Sequence, residues 1–410
     1  MIGMAVHYVP FDPQTLTDPY PAYDRLRVES PIHWEDTLDR WILTRYADVA
    51  ACLRDPRLSA RRPASDLSLA TPAVRAALEE LARHFSGWLL LADPPDHTRL
   101  RGLVSGAFTP RMLESFRPRV RALVDRLVDP LVSRGEAELM GELADPLPMM
   151  VIAEVLGLPL EDCPQLNRWC DDLTVVLGGG RAAPDRLERP SRAVESLHAL
   201  LAYLRAALRR ARAQPGDDLL SVLLVAEQRG DVRDDDELLG ICTLLLTAGT
   251  ETSTNLIANG LLGLLRHPDR LAELRDDPSL APQAIEELLR YDTPGQWAAR
   301  SALQDLVLDG MHIRRGNSLL LGLGAANRDP ARFDDPGRLD LRREDTHHLA
   351  FGFGLHFCVG APFARLESQI ALNEVLRRLP GLRLASDTVE WRPNPILRGL
   401  RALPVRFSPG

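Results

Sequence analysis

Apolar residues recur at three- and four-residue intervals along most of this chain, the spacing that lays a single stripe down a helix. Thr71 to Phe85, Arg111 to Ser133, Ser191 to Arg212 and Pro282 to Tyr291 all carry it. Alternating, β-rich patterns are few: Ile32 to Trp34 with Trp41 to Thr44, then Leu306 to Leu323, then a portion around Leu382 to Phe407. They predict β-rich portions near 31–46, 303–323 and 382–407 in a mainly α protein with small β-sheets. Two stretches, near 59–95 and 165–195, concentrate Gly, Pro and Ser, most densely at Ser59 to Pro72 and Gly178 to Pro190, and read as mobile loops able to act as lids. No repeat period or low-complexity linker interrupts the pattern, so residues 1–410 read as one domain.

The longest uncharged run, Leu238 to Leu265, is broken only by Glu251. Its length suits a membrane span, but an acid at the bilayer centre costs about 3 kcal/mol, whereas a buried helix of a soluble domain can give it a polar partner. Gly249, Thr250, Thr252, Ser253 and Thr254 crowd around Glu251 and are modest helix formers, which predicts a local distortion there and a groove for a ligand.

Composition narrows the function. The formal net charge is −8, which disfavours a nucleic-acid partner. All 49 basic residues are Arg, a codon-level signature of a high-GC bacterial source that an AT-rich gene would refute. Five cysteines, Cys52, Cys163, Cys170, Cys242 and Cys358, show neither even parity nor a Cys-x-x-Cys pair, so neither zinc nor a disulfide framework is expected and a reducing cytosol fits. Met1 to Asp12 lack the basic and apolar segments of a signal peptide or anchor, so a soluble, cytoplasmic protein is expected, with no membrane association.

The chemistry concentrates in Phe351-Gly352-Phe353-Gly354-Leu355-His356-Phe357-Cys358-Val359-Gly360. The glycines permit tight turns and close approach of backbone to a flat ligand, and Pro362 suits the first turn of a following helix. That helix amino terminus would direct positive charge at Cys358, lowering its pKa towards the thiolate. The pattern Phe-Gly-x-Gly-x-His-x-Cys-x-Gly resembles the haem-binding loop of the cytochrome P450 family, and further matches follow in order from about Phe11 to the end.

The resemblance implies a compact, triangular α-rich domain with a minor β-rich portion, and haem b ligated by Cys358. Ala248-Gly249-Thr250-Glu251-Thr252-Ser253 resembles the family's oxygen-activation motif, which makes Thr252 the catalytic hydroxyl and Glu251 its outer proton donor. A threonine there can equally bond back to the carbonyl one turn earlier. His97, Arg101, Arg300 and His356 resemble the partners of the haem propionates. Glu287 and Arg290, ordinarily a solvated bridge at this spacing, match a buried structural pair. By the same resemblance the substrate pocket is lined by Trp88, Leu89, Leu245, Ala248, Gly249, Trp297, Ala298, Ile396 and Leu397, with two indoles suiting an apolar or aromatic ligand. Ala325 to Pro330 and Arg398 to Val405 are similar to scaffold motifs of bacterial members. Phe363 stands where Leu is usual, and Gly295, where a β-branched residue is common, could open space beside Trp297.

The activity implied is that of a soluble bacterial monooxygenase, monomeric, inserting one oxygen atom into a small apolar substrate, plausibly in secondary metabolism. Electrons would come from a separate ferredoxin and its reductase, docking near Cys358 against Arg99 and Arg365. A peroxide-driven peroxygenase is the alternative, disfavoured by the Glu251-Thr252 pair; a haem-thiolate sensor is a second, disfavoured by the lack of an effector module.

Overall fold

The computed structural model describes residues 7–61, 71–179 and 189–410. Its axis is the helix Asp235–Arg266, 32 residues and about 48 Å long. Asp234 caps it by accepting the Glu237 amide at 2.9 Å, and Asp235, Asp236 and Glu237 in the first turn complement the helix dipole. Beyond that turn it is mainly apolar, so most of its length must be covered by other helices. Pro146–Leu156, Cys163–Gly179, Arg189–Ala213, Ala281–Tyr291 and Ala361–Arg378 pack against it. Among the described residues no helix is long and apolar enough to cross a membrane.

The expected distortion at Gly249 to Thr254 is absent, and the helix runs through in α geometry. Thr250 Oγ1 donates to Leu246 O and Thr252 Oγ1 to Ala248 O, both at 3.1 Å, so these hydroxyls are satisfied one turn back without opening the backbone.

The β portion is small. Strands β1 (Ile32–Glu35), β2 (Arg40–Leu43), β3 (Leu58–Ser59), β4 (Glu136–Glu138), β5 (Trp297–Ala302), β6 (Leu306–Leu308), β7 (Met311–Ile313), β8 (Ser318–Gly322), β9 (Arg383–Leu384) and β10 (Pro404–Arg406) form three sheets. The largest has the order β1-β2-β8-β5-β3, with β2 and β8 parallel and the other pairs antiparallel. β6 and β7 are joined by Asp309-Gly310, both at positive φ, the turn chemistry of a two-residue hairpin. β3, β4 and β5 lie outside the stretches marked by alternation, β3 and β4 being too short to show it and β5 mixing small and polar residues without a clear apolar alternation.

The loop expectation for 59–95 and 165–195 is corrected by helices Pro72–Phe85, Cys163–Gly179 and Arg189–Ala213, whose apolar stripes outweigh the turn-forming residues nearby. Residues 62–70 and 180–188, the densest parts of both stretches, lie outside the described residues.

Candidate active site

The cysteine loop is built as its glycines dictate. Gly352 and Gly354 adopt φ of +70° and +74°, which side chains strain to reach, and a Cβ on Gly354 would stand 2.9 Å from Arg54 Cγ. The Cys358 amide closes the loop on Phe351 O at 2.8 Å, and Gly360 then begins the helix Ala361–Arg378. Cys52, Cys163, Cys170 and Cys242 are buried, while Cys358 alone is partly open. The Gly360 and Ala361 amides act to lower its thiol pKa, the helix-terminus effect expected from sequence. The net direction is nevertheless the reverse of that expectation, because burial pushes the thiol up and outweighs the amides, Arg101 and Arg365.

Beside the loop stands a group of basic side chains with too few partners. His97 is 2% exposed and neither ring nitrogen has a hydrogen-bond partner. Its ring lies 4.3 Å from that of His356, which burial, then Arg300 and His97, hold down at about 4. Arg300 is itself buried, and among the described residues its guanidinium hydrogen-bonds only Ala299 O, at 2.8 Å. Burial lowers His97 too, followed by Arg101 and Arg300. Among the described residues Asp93 is the carboxylate that acts on both His97 and His356, and it is engaged by Ser59 Oγ at 2.5 Å and the Ala60 amide at 3.0 Å. Unpaired buried donors are costly, so this group is matched to an anion. Arg101 joins it through the cysteine loop, donating to Leu355 O at 3.3 Å and Phe357 O at 2.5 Å.

The central helix is buried from Leu238 to Thr247 and from Ser253 to Leu265; Ala248, Gly249, Glu251 and Thr252 interrupt this and form its open face. Leu245 and Leu89, 7% and 6% exposed, are packed. On β5, Ala298 and Arg300 share one face by strand alternation, and the segment before it joins the C-terminal hairpin through Gln296 N to Ile396 O at 2.8 Å and a Gly295–Leu397 bridge. Trp297 points to the other face, its ring 5.4 Å from Tyr8 and 5.3 Å from Tyr23. Trp88 is fully buried on Phe85 at 4.6 Å, its indole N–H donating to Thr243 Oγ1 at 3.1 Å. Both indoles pack against core side chains in this structure, whereas the open face of the central helix is lined by small residues. Nothing lies within 4 Å of a Cβ built on Gly295, so the expected space is there without Trp297 beside it.

The structural pair is buried outright. Arg290 donates to Glu287 through Nε at 2.7 Å and Nη2 at 2.8 Å, with both side chains 0% exposed. Its remaining N–H groups reach Asn327 O, Pro336 O and Arg338 O at 2.9–3.1 Å. Asn327 in turn donates to Thr293 Oγ1 at 2.8 Å and accepts the Leu349 amide at 2.7 Å, tying the pair to the approach of the cysteine loop. Phe363 fills the space behind that loop, edge-on to Phe108 and Phe116.

The docking expectation for Arg99 and Arg365 is corrected: each guanidinium is held bidentately by a carboxylate, Arg99 by Glu237 and Arg365 by Glu286. Burial raises Glu286, but Arg365 and His348 outweigh it and hold it at about 2. Arg54, exposed and stacked 4.8 Å over the Phe353 ring, is a freer cation on that face.

The cytochrome P450 family model matches residues 187–381. Cytochrome P450 monooxygenase PikC of Streptomyces venezuelae is 42% identical over 96% of this chain and 92% of its own length. The chain belongs to the cytochrome P450 family. This P450 is also 38% identical to 6-deoxyerythronolide B hydroxylase of Saccharopolyspora erythraea, over 95% of the chain and 96% of that protein. The crystal structure of CalO2 superposes with a TM-score of 0.90 at 35% identity, covering 99% of this chain and all of that one (100%). The P450 is therefore an oxidoreductase of the monooxygenase class, and its cofactor is haem b bound through a cysteine thiolate. The residues fit that group: a partly open cysteine faces a buried, under-partnered set of imidazoles and guanidinium suited to two carboxylates.

Glu251 belongs to the open face, and burial pushes it up to about 7, against Arg392 and aided by Asp171 and Asp145. These three partners escaped the sequence reading. They lie in separate segments and match no spacing, so only the fold brings them together.

Proposed function

We propose that Cys358 would ligate the haem iron and that His97, His356 and Arg300 would hold the haem propionates, with Arg101 fixing the cysteine loop. The observation that carries this is the pairing of a partly open cysteine with buried His97 nitrogens that have no partner. The haem, when bound, supplies the iron at which dioxygen is activated. The chain's own groups do the rest. Thr252 turns its hydroxyl from Ala248 O towards the reacting oxygen and passes protons inward, and Glu251, poised near neutrality, resupplies them. Burial of Glu287 with Arg290 keeps the cysteine loop rigid.

The substrate is a small apolar molecule held by Leu89, Leu245, Ala248, Gly249, Ala298, Ile396 and Leu397, and it is hydroxylated or epoxidised. The relatives' names point to bacterial secondary metabolism. Electrons come from a ferredoxin and its reductase, docking over Phe353 and Leu355, exposed at 39% and 56%, beside Arg54. The protein acts as a soluble, cytoplasmic monomer.

The test is turnover of a screened apolar substrate under ¹⁸O-labelled dioxygen with ferredoxin, its reductase and NADPH. One labelled atom in the product supports the reading. Product formed with peroxide alone, and none with reductant and dioxygen, replaces it with a peroxygenase.

A further inference from the structure

Three segments converge on the flank of the central helix that carries Glu251. Thr247, Glu251 and Thr254 share that flank by their spacing. Thr254 Oγ1 donates to Ala144 O at 2.9 Å, which sets Asp145 beside it. Cys170 lies against Thr247, and Asn167 Nδ2 donates to Asp145 O at 3.3 Å, so the turn from Asn167 to Asp171 borders the same spot. Arg392, at the base of the C-terminal hairpin, closes the group by reaching both oxygens of Asp145 at 3.0 and 3.1 Å. Its backbone is fixed there by its N–H donating to Gly399 O at 2.8 Å. The group thus holds three carboxylates and one guanidinium. Glu367, on the helix Ala361–Arg378, lies against Ser253 instead.

We propose that Asp171 and Arg392 are positioning residues for proton delivery, Asp171 as the outer carboxyl that recharges Glu251 and Arg392 as the cation that sets its charge. Asp171 is exposed while Glu251 is partly buried, so the two step from solvent towards Thr252. In the step, an Asp171 carboxyl gives its proton to the Glu251 carboxylate and is reprotonated by water, with no change in electron count. Packing that takes water from each carboxyl raises Asp171 to about 6 and Glu251 to about 7, so both can exchange protons near neutral pH. Arg392 is committed to Asp145, and this leaves Glu251 without a bonded cation that would hold it ionised.

This rests on Glu251 serving the relay. Infrared titration of the haem-loaded protein reads the carbonyl stretch of the buried carboxylic acid, with Glu251→Gln assigning the band. Asp171→Asn removes a like charge and moves the midpoint of that band down. Arg392→Gln removes a cation and moves it up, each by roughly one pH unit, and Arg392→Lys stays near wild type. The solvent deuterium isotope effect on turnover rises in Asp171→Asn. Midpoints unmoved in both neutral variants overturn the proposal, even where Glu251→Gln is slow. A Glu251→Gln enzyme with wild-type rate and pH profile instead removes the relay reading on which it stands.

Discussion

Replacing Arg290 by Leu is expected to be the most damaging single substitution away from the cysteine loop. The side chain makes five hydrogen bonds, two to Glu287 and three to backbone carbonyls, at full burial. Removing one partner of a buried pair costs about 3–5 kcal/mol, because the other charge stays behind without compensation. Glu287 is not left wholly alone: Arg343 Nε stands 3.2 Å from Oε2 and the Asp340 amide 2.9 Å from Oε1, which places this contribution near the lower bound. The three carbonyls add roughly 1 kcal/mol or more between them, as some gain water when the loop loosens. A total of about 4 kcal/mol is a large part of the roughly 5–15 kcal/mol available to a folded protein. Urea unfolding of the haem-loaded protein, followed by tryptophan fluorescence, reads it as a midpoint. Arg290→Lys, which keeps the charge and loses the planar fork, falls between the two. A midpoint for Arg290→Leu within about 1 kcal/mol of wild type would refute the reasoning, since surface pairs already account for that much.

Three further outcomes follow from the geometry. Arg300→Leu removes a charge-assisted donor of about 1.5–3 kcal/mol and speeds haem loss to apomyoglobin tenfold or more, roughly; an unchanged rate takes Arg300 out of the propionate set. Thr243→Val deprives Trp88 Nε1 and His84 Nε2 of their shared partner at 3.1 and 2.9 Å, and lowers unfolding stability in urea by about 1–3 kcal/mol; no loss means these two bonds do not contribute to stability. Glu251, raised by burial from its ordinary 4.5 to about 7, binds a proton more tightly folded than unfolded. Its contribution is therefore present in full below pH 4.5, declines as pH rises to about 7 and is flat above. Glu251→Gln removes that decline, so the variant gains about 2 kcal/mol on wild type between pH 5 and 8, after allowance for water reaching the group; parallel stability curves contradict it.

What the sequence disclosed was the local part of the site. The spacing from Phe351 to Gly360 carries its own geometry, since the positive φ values at Gly352 and Gly354 and the helix start after Gly360 are short-range consequences of those residues. Periodicity located Pro72–Phe85 and Arg189–Ala213 as helices even inside stretches whose glycines and prolines suggested loops. Direction was harder. Trp297 and Arg300 are three apart on a strand, so alternation sends them to opposite faces, but the strand itself begins before any visible alternation. Arg99 and Arg365 read as free cations because Glu237 and Glu286 are 138 and 79 residues away from them. Arg392, Asp145 and Asp171 were silent for the same reason: a charge cluster assembled from remote segments leaves no local pattern.

The most direct test of the central claim is the difference spectrum of the reduced protein under carbon monoxide, for wild type and Cys358→Ser. The expected result is the strongly red-shifted Soret band of thiolate ligation in wild type and its loss in the variant. A wild-type band like that of a histidine-ligated globin, or one that survives in Cys358→Ser, would contradict the assignment of Cys358 and with it the roles given to the residues around it.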